Sequence, residues 1–379
     1  MKRFLAFIYA VCFLLTACAC TVTEPHATVQ VPTSTSADTF TETIIPEQVD
    51  NIAAVSMPAV THPYYADDGT TLFSHTYQNM FLVLPNPLIA DKVITHYLES
   101  TDWIHDEAQK TYNQAIQNYT AGVDWYPYMC QLLYSPMRID QDVLSLYGSQ
   151  VIYSGEGRPS RNGVSLNFDL LTGDILTLGS IMHADATMEQ FQVLVTEKLG
   201  DMAEKYYLFD DYADAVALRF STDESQFEAF YFTQNGLCFY FDIYEIAPSS
   251  SGIISVEIPY SDLLGLIHDA YFPAERDAAA GCLYQKDFND MNMNEFSSIT
   301  EAVLSQSGNM IVFYTDSAVQ DIRIESVSED EAHTQYTLYA AYTLNEAEAI
   351  AVEGTQEQLS KLCVSYFNKD GLHILDNPK

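Results

Sequence analysis

The stretch Phe227-Glu228-Ala229-Phe230-Tyr231-Phe232-Thr233-Gln234-Asn235-Gly236-Leu237-Cys238-Phe239-Tyr240-Phe241-Asp242 reads as a β-hairpin. Two aromatic runs flank Asn235-Gly236. Aromatic side chains fit the pleated, half-buried surface of a sheet, and Asn-Gly between two such runs is a strong turn signal. Residues 227–233 and 237–242 are therefore predicted as paired strands. Residues 244–252 follow as a loop, 253–258 as a strand that Pro259 ends, and 260–268 as a short helix.

Upstream of the hairpin, Gly163-Val164-Ser165-Leu166-Asn167-Phe168-Asp169 alternates and runs into Leu171-Thr172-Gly173-Asp174. This predicts a strand entering a tight turn, with Gly173 at positive φ. Residues 187–205 predict a helix, with Asp185 as a cap near its start, and 207–218 another. Nearer the N-terminus, 71–84 read as a strand halted at Pro85-Asn86-Pro87, and 88–99 and 103–119 as amphipathic helices. The second carries Ile104, Ala108, Tyr112, Ala115, Ile116 and Tyr119 on one face. Residues 126–134, 138–147 and 149–155 predict consecutive strands, and 157–163 a basic turn. Beyond a linker at 273–281, residues 309–315, 319–327, 334–343 and 362–367 are strand-like.

The first residues point to export. Met1-Lys2-Arg3 is a positive start, and the apolar run from Phe4 to Leu15 fits a leader but falls short of the roughly 20 residues of a spanning helix. Leu15-Thr16-Ala17-Cys18 resembles a bacterial lipobox. The expectation is cleavage after Ala17 and lipid on Cys18, holding the protein outside the cytoplasm at the membrane surface. Residues 18–60, rich in Thr, Ser, Pro, Ala and Val, read as a tether.

The chain holds 16 basic and 52 acidic residues, a formal charge of −36 that becomes −38 once Lys2 and Arg3 leave with the leader. Such a balance argues against nucleic acid and favours a cationic partner, or simply a solvated surface. With 26 Tyr and 20 Phe the composition is that of a folded protein. Of seven cysteines, none forms a C-x-x-C pair or a zinc spacing. Cys130 and Cys238 sit in apolar, strand-like surroundings that predict buried thiols.

At this point a resemblance emerges. Tyr77-Gln78-Asn79-Met80-Phe81-Leu82-Val83-Leu84-Pro85-Asn86 with the helix after it, Ser165 to Asp169 with Thr172-Gly173, the hairpin itself, Tyr244-Glu245-Ile246-Ala247-Pro248 through Gly252, and Val256-Glu257-Ile258-Pro259-Tyr260 resemble, in this order, the PdaC/RsiV-like extracellular module. The resemblance covers residues 62–272. It implies an α+β fold: a two-part module of antiparallel sheet packed with helices, followed here by a small β-rich C-terminal domain. The domain reading is leader 1–17, tether 18–60, PdaC-like part 61–160, RsiV-like part 161–272 and β-rich domain 282–379. The family includes the outer domain of a membrane-bound anti-sigma factor that binds lysozyme, and modules beside polysaccharide deacetylases. This sequence departs from it where an aromatic often follows Ala-Pro: Ser249-Ser250-Ser251 stand there.

The sequence shows no G-x-S-x-G, no H-E-x-x-H and no P-loop, so neither an enzyme nor a cofactor is expected. His62 and His75 flank the acidic loop at Asp67-Asp68, a set that could ligate a metal but reads as surface polar residues; Asp67-Asp68-Gly69 and 209–214 lack the spacing of an EF-hand calcium loop, and no metal is expected. Tyr126-Tyr128, Tyr206-Tyr207 and Tyr336-Tyr339-Tyr342 are either sugar-stacking platforms or the half-buried face of a sheet. Loop 244–252 is the recognition candidate, through Tyr244, Glu245, Pro248, Ser249 and Gly252, because loops on rigid scaffolds carry binding. The expected function is a lipid-anchored, non-catalytic binding module for a cationic protein such as lysozyme. The alternatives are an accessory contacting peptidoglycan or another wall glycan and, weaker, a wall hydrolase or deacetylase-associated enzyme.

Overall fold

The computed structural model describes residues 53–379 apart from 156, 222–226, 274–282, 288–302, 308–309, 316, 328–334, 345–347, 354–355 and 377–379. The leader, Cys18, most of the tether and most of the linker at 273–281 lie outside the described residues. In chain order the elements are β1 (Ala54–Ser56), β2 (Ala59–Tyr65), β3 (Thr71–Gln78), β4 (Phe81–Val83), α1 (Pro87–Thr101), α2 (Trp103–Asn118), β5 (Tyr128–Ile139), β6 (Val143–Tyr153) and β7 (Ser160–Asp169). Then come α3 (Leu178–Ile181), α4 (Met188–Tyr206), α5 (Tyr212–Arg219), β8 (Phe230–Phe232), β9 (Gly236–Phe241) and β10 (Ile254–Pro259). The C-terminal part holds β11 (Leu283–Asp287), β12 (Val303–Ser307), β13 (Met310–Tyr314), β14 (Val319–Val327), β15 (Gln335–Leu344), β16 (Glu348–Glu353), α6 (Gln356–Ser360), β17 (Leu362–Asn368) and β18 (Gly371–Asp376). The protein is a mixed α+β fold with several antiparallel sheets, few helices and a β-rich C-terminal region.

The first sheet has the order β2-β3-β5-β6-β7 and is antiparallel except where β3 meets β5. That parallel pair needs a long crossover, which β4, α1 and α2 supply. Asn86 caps α1 by accepting the Leu88 N–H at 3.1 Å, with Pro87 at the first turn. α2 buries Ile104, Ala108, Thr111 and Ala115; Ile116, expected on that face, is exposed. Phe73, Tyr128, Leu132, Leu144 and Phe168 share this core with α1 and α2.

The hairpin appears as β8 and β9, and β10 adds to β9 in a sheet ordered β10-β9-β8. Phe191, Val195 and Leu199 of α4 pack with it in one core cluster with Phe230, Phe239, Val256 and Ile258. Each such side chain, fully buried, contributes roughly 1.5–3 kcal/mol. A polar seam joins the two sheets. Ser145 Oγ donates to Asn167 Oδ1 at 2.6 Å and accepts the Phe232 N–H at 2.8 Å, while Asn167 Nδ2 donates to the Phe230 carbonyl at 2.9 Å. Ser165 Oγ donates to the Glu228 carbonyl at 2.6 Å. The alternation Ser165-Leu166-Asn167 thus puts hydroxyl and amide toward the edge strand β8, whose free backbone groups they satisfy.

Local chemistry moves several expected boundaries. The strand expected at 138–147 is two strands, because Asp140 Oδ1 accepts the N–H groups of Asp142 and Val143 at 2.8 Å each and turns the chain there. The cap of α4 is Thr187, boxed with Gln190, rather than Asp185. α4 ends at Tyr207, in the left-handed region at φ 55°, so α5 starts only at Tyr212. The helix expected at 260–268 is replaced by a 3-10 turn at Tyr260–Asp262 and an isolated bridge between Met182 and Ile267. Gly173 has the expected positive φ, 77°.

Residues 54–56 and 59–60, read as tether, lie in β1 and β2. β1 pairs with β4 on one side and β15 on the other, within a sheet ordered β18-β17-β14-β15-β1-β4. A second C-terminal sheet has the order β11-β16-β13-β12, and Ala54 joins a core cluster with Phe313, Ile324, Tyr339 and Tyr366. Tyr336 and Tyr339 are therefore core residues rather than a surface platform. Among the described residues no helix is long and apolar enough to cross a membrane.

Candidate functional site: a clamped loop beside α4 and α5

The segment after β9 leaves the sheet at Asp242 and returns as β10 at Ile254. Its course is set by three acceptors and one cation. Asp242 Oδ1 accepts the Gly163 N–H at 2.6 Å, which ties the start of the loop to β7. Glu245 Oε2 accepts the Asp242 N–H at 2.8 Å, and the Glu245 N–H returns to the Asp242 carbonyl at 3.1 Å. Arg219, the last residue of α5, then grips the Glu245 carboxylate with two nitrogens: Nε donates to Oε1 at 2.6 Å and Nη2 donates to Oε2. A second carboxylate oxygen, Asp242 Oδ2, lies 3.6 Å from Nη2, and the guanidinium carbon sits 5.8 Å from the centre of the Phe241 ring.

The far half of the loop is fixed to the end of α4. The Phe209 N–H donates to the Ile246 carbonyl at 2.9 Å, and Ser251 Oγ donates to the Tyr206 carbonyl at 2.6 Å. Ile246 and Ala247 are buried. Pro248 opens a 3-10 turn over Ser249–Ser251, which Gly252 closes at φ 71°. Tyr244 is held in the left-handed region at φ 70° and is 67% exposed. A residue with a side chain pays a steric penalty at such a φ, and backbone of this kind clusters at recognition and switch sites.

The structure thus brings the five expected residues together on one loop but gives them different tasks. Tyr244 presents its ring to solvent. Glu245 is engaged by Arg219 and the Asp242 amide. Pro248, Ser249 and Gly252 shape the return turn. Nothing local in the sequence marks Arg219 or Gly163 as partners of this loop, since they lie 26 and 82 positions from Glu245, and Asp242, three positions away, reads only as the end of the hairpin strand. Arg219 left one trace, as one of only two basic residues, with Lys205, in an acidic stretch from 201 to 219.

Elsewhere, His62 and His75 are cross-strand partners on β2 and β3, while Asp68 accepts hydrogen bonds from Tyr119 Oη at 2.5 Å and the Thr70 N–H at 3.0 Å. Among the described residues no group of three or more His, Cys, Asp or Glu is placed to hold a metal ion. Cys130 and Cys238 are buried thiols, as expected, and Cys363 is buried too; burial pushes the Cys130 thiol up to about 12, which leaves it unreactive near neutral pH.

Residues 175–261, a span that includes α4, α5, the hairpin and the clamped loop, match the family described as a protein of unknown function, DUF3298. No curated protein matches the chain. Among solved structures, a DUF3298 family member from Bacteroides fragilis is 17% identical with a TM-score of 0.43, covering 58% of this chain and 96% of that one. A DUF3298 family protein from Pseudomonas aeruginosa is 16% identical with a TM-score of 0.42, covering 60% of this chain and 100% of that one.

Proposed function

We propose that this protein is a lipid-anchored binding module, without catalytic machinery of its own, that meets a cationic protein of the lysozyme kind outside the cytoplasm. The observation that carries this reading is Tyr244: an exposed aromatic in left-handed backbone, held by the Arg219–Glu245 clamp on a chain of formal charge −36. Rigid aromatic anchors dominate the energetics of protein interfaces, and a large opposite charge steers encounter at low salt. The resemblance to the PdaC/RsiV-like module supports the choice of partner. In this reading the leader 1–17 is removed and lipid on Cys18 tethers the module; a Cys18→Ala protein is expected to lose incorporation of a labelled fatty acid, and retained label sinks the anchor.

The binding test is surface plasmon resonance of the protein against lysozyme at about 50 mM and about 300 mM salt. Association that slows steeply with salt supports the reading, because screening shortens the reach of the charge. A second reading, contact with peptidoglycan or another wall glycan, is favoured by the exposed rings of Tyr126 and Tyr244, which suit stacking on sugars. Binding to purified peptidoglycan that ignores salt, with no binding to lysozyme, replaces the first reading with the second.

A further inference from the structure

Among the described residues, three non-glycine residues have positive φ, and two of them, Tyr207 and Tyr244, flank the same junction between loop and helix. Tyr207 ends α4 at φ 55° and is 75% exposed; Tyr244 is at φ 70° and 67% exposed. The bonds that join their segments run from Phe209 N–H to the Ile246 carbonyl and from Ser251 Oγ to the Tyr206 carbonyl. Leu218, 74% exposed, precedes the Arg219 that clamps Glu245. At a helix end in this conformation glycine is the favoured residue, because it has no Cβ to crowd the backbone. Folding alone gives no reason for a solvent-facing tyrosine at both positions.

The charge around these three side chains is predominantly negative. Asp201, Glu204, Asp210, Asp211 and Asp214 are all exposed on α4, α5 and the turn between them. The two basic residues of that stretch are occupied: the Lys205 ammonium lies 4.9 Å from the centre of the Tyr206 ring, and Arg219 is paired with Glu245.

We propose that Tyr207, Leu218 and Tyr244 form a single contact surface, apolar at its centre and acidic at its rim, whose occupant is a protein presenting basic residues around an apolar patch. This rests on the binding reading above and extends the site from the loop to the ends of α4 and α5. Apolar anchors inside a polar rim are the usual division of labour in an interface.

The test uses the full chain and lysozyme as probe. Tyr207→Gly removes the ring and relieves its backbone, so the thermal midpoint is expected to stay or rise while dissociation becomes about tenfold faster. Leu218→Gln is expected to leave the midpoint unchanged and also to speed dissociation. Asp210→Asn with Asp211→Asn is expected to slow association at low salt and to have little effect at high salt. If Tyr244→Gly weakens the complex while Tyr207→Gly and Leu218→Gln dissociate like the parent, the loop reading stands and the extended surface is overturned. If the parent does not bind lysozyme at all, the binding reading fails and this surface fails with it.

Discussion

Arg219 donates two hydrogen bonds to the Glu245 carboxylate across a gap of 26 positions, and this pair converts a loop into a fixed feature of the surface. The guanidinium fork matches a carboxylate geometrically, so the pair sets direction as well as distance. Both side chains are about three-quarters buried, which places the pair between a surface ion pair of little worth and a fully buried one.

Removing the fork should therefore be felt in stability and more strongly in loop order. Arg219→Ala is expected to cost about 2 kcal/mol in urea unfolding, with faster amide exchange over residues 242–252. Arg219→Lys restores the charge but not the two-point grip, and is expected to recover less than half of the loss. Full recovery by lysine would show that charge alone holds the loop.

A second arginine has a different role. Arg138, at the end of β5, is fully buried and donates to Asp140 Oδ2 at 2.6 Å, Tyr260 Oη at 2.7 Å and the Tyr271 carbonyl at 2.6 Å. It ties the turns after β10 to the first sheet. Arg138→Met is expected to cost about 3–5 kcal/mol, because the part-buried Asp140 carboxylate, Tyr260 hydroxyl and Tyr271 carbonyl all lose their guanidinium donor. Tyr260→Phe, which removes one partner, is expected to cost about 1–2 kcal/mol. Equal losses for the two variants, measured by denaturant unfolding, would contradict this account.

The pH dependence of folding should carry the mark of His75. This imidazole is 5% exposed on β3, with the rings of Tyr77 and His105 5.0 and 5.1 Å away. Burial, reinforced by the neighbouring His105 and His62, holds it down to about 4, against 6.5 for an exposed histidine. As pH falls through about 6.5 the unfolded chain takes up a proton that the folded chain refuses until about pH 4. The stability linked to neutral His75 is therefore complete above about pH 6.5 and is lost as pH falls from there to about 4, a change of roughly 3 kcal/mol at most. His75→Phe keeps a ring in place and is expected to flatten urea midpoints measured between about pH 7 and pH 4.5. An unchanged slope in that variant would assign the acid sensitivity to other groups.

Much of the site's frame was legible because it depends on near neighbours in the chain. The aromatic runs around Asn235-Gly236 specify a hairpin through strand propensity and turn chemistry, and the apolar spacing of residues 88–99, 103–119 and 187–205 specifies helices. The turn residues were harder to read. Asn235-Gly236 reads as a turn, yet Gly236 does not have positive φ. It lies in β9, where a Cβ would come within 2.1 Å of the Ile258 carbonyl oxygen, so its smallness serves the approach of β10. The Asn-Gly signal locates the turn but carries no trace of that third strand.

Taken alone, the sequence determined which segments become strand or helix across the hairpin and the main helices, that the chain is strongly acidic, and that residues 244–252 connect two strands. These follow from propensity, period and composition, properties of the chain over a few residues. Tertiary packing set Glu245 against Arg219, brought the segments of Tyr244 and Tyr207 to one junction, and put β1 between β4 and β15. A period of two says that a strand has an inner face, not which strand lies beside it. A carboxylate in a loop binds whichever cation the packing of distant helices delivers. These outcomes depend on contacts between residues far apart in the chain, which form only when the sheets and helices pack.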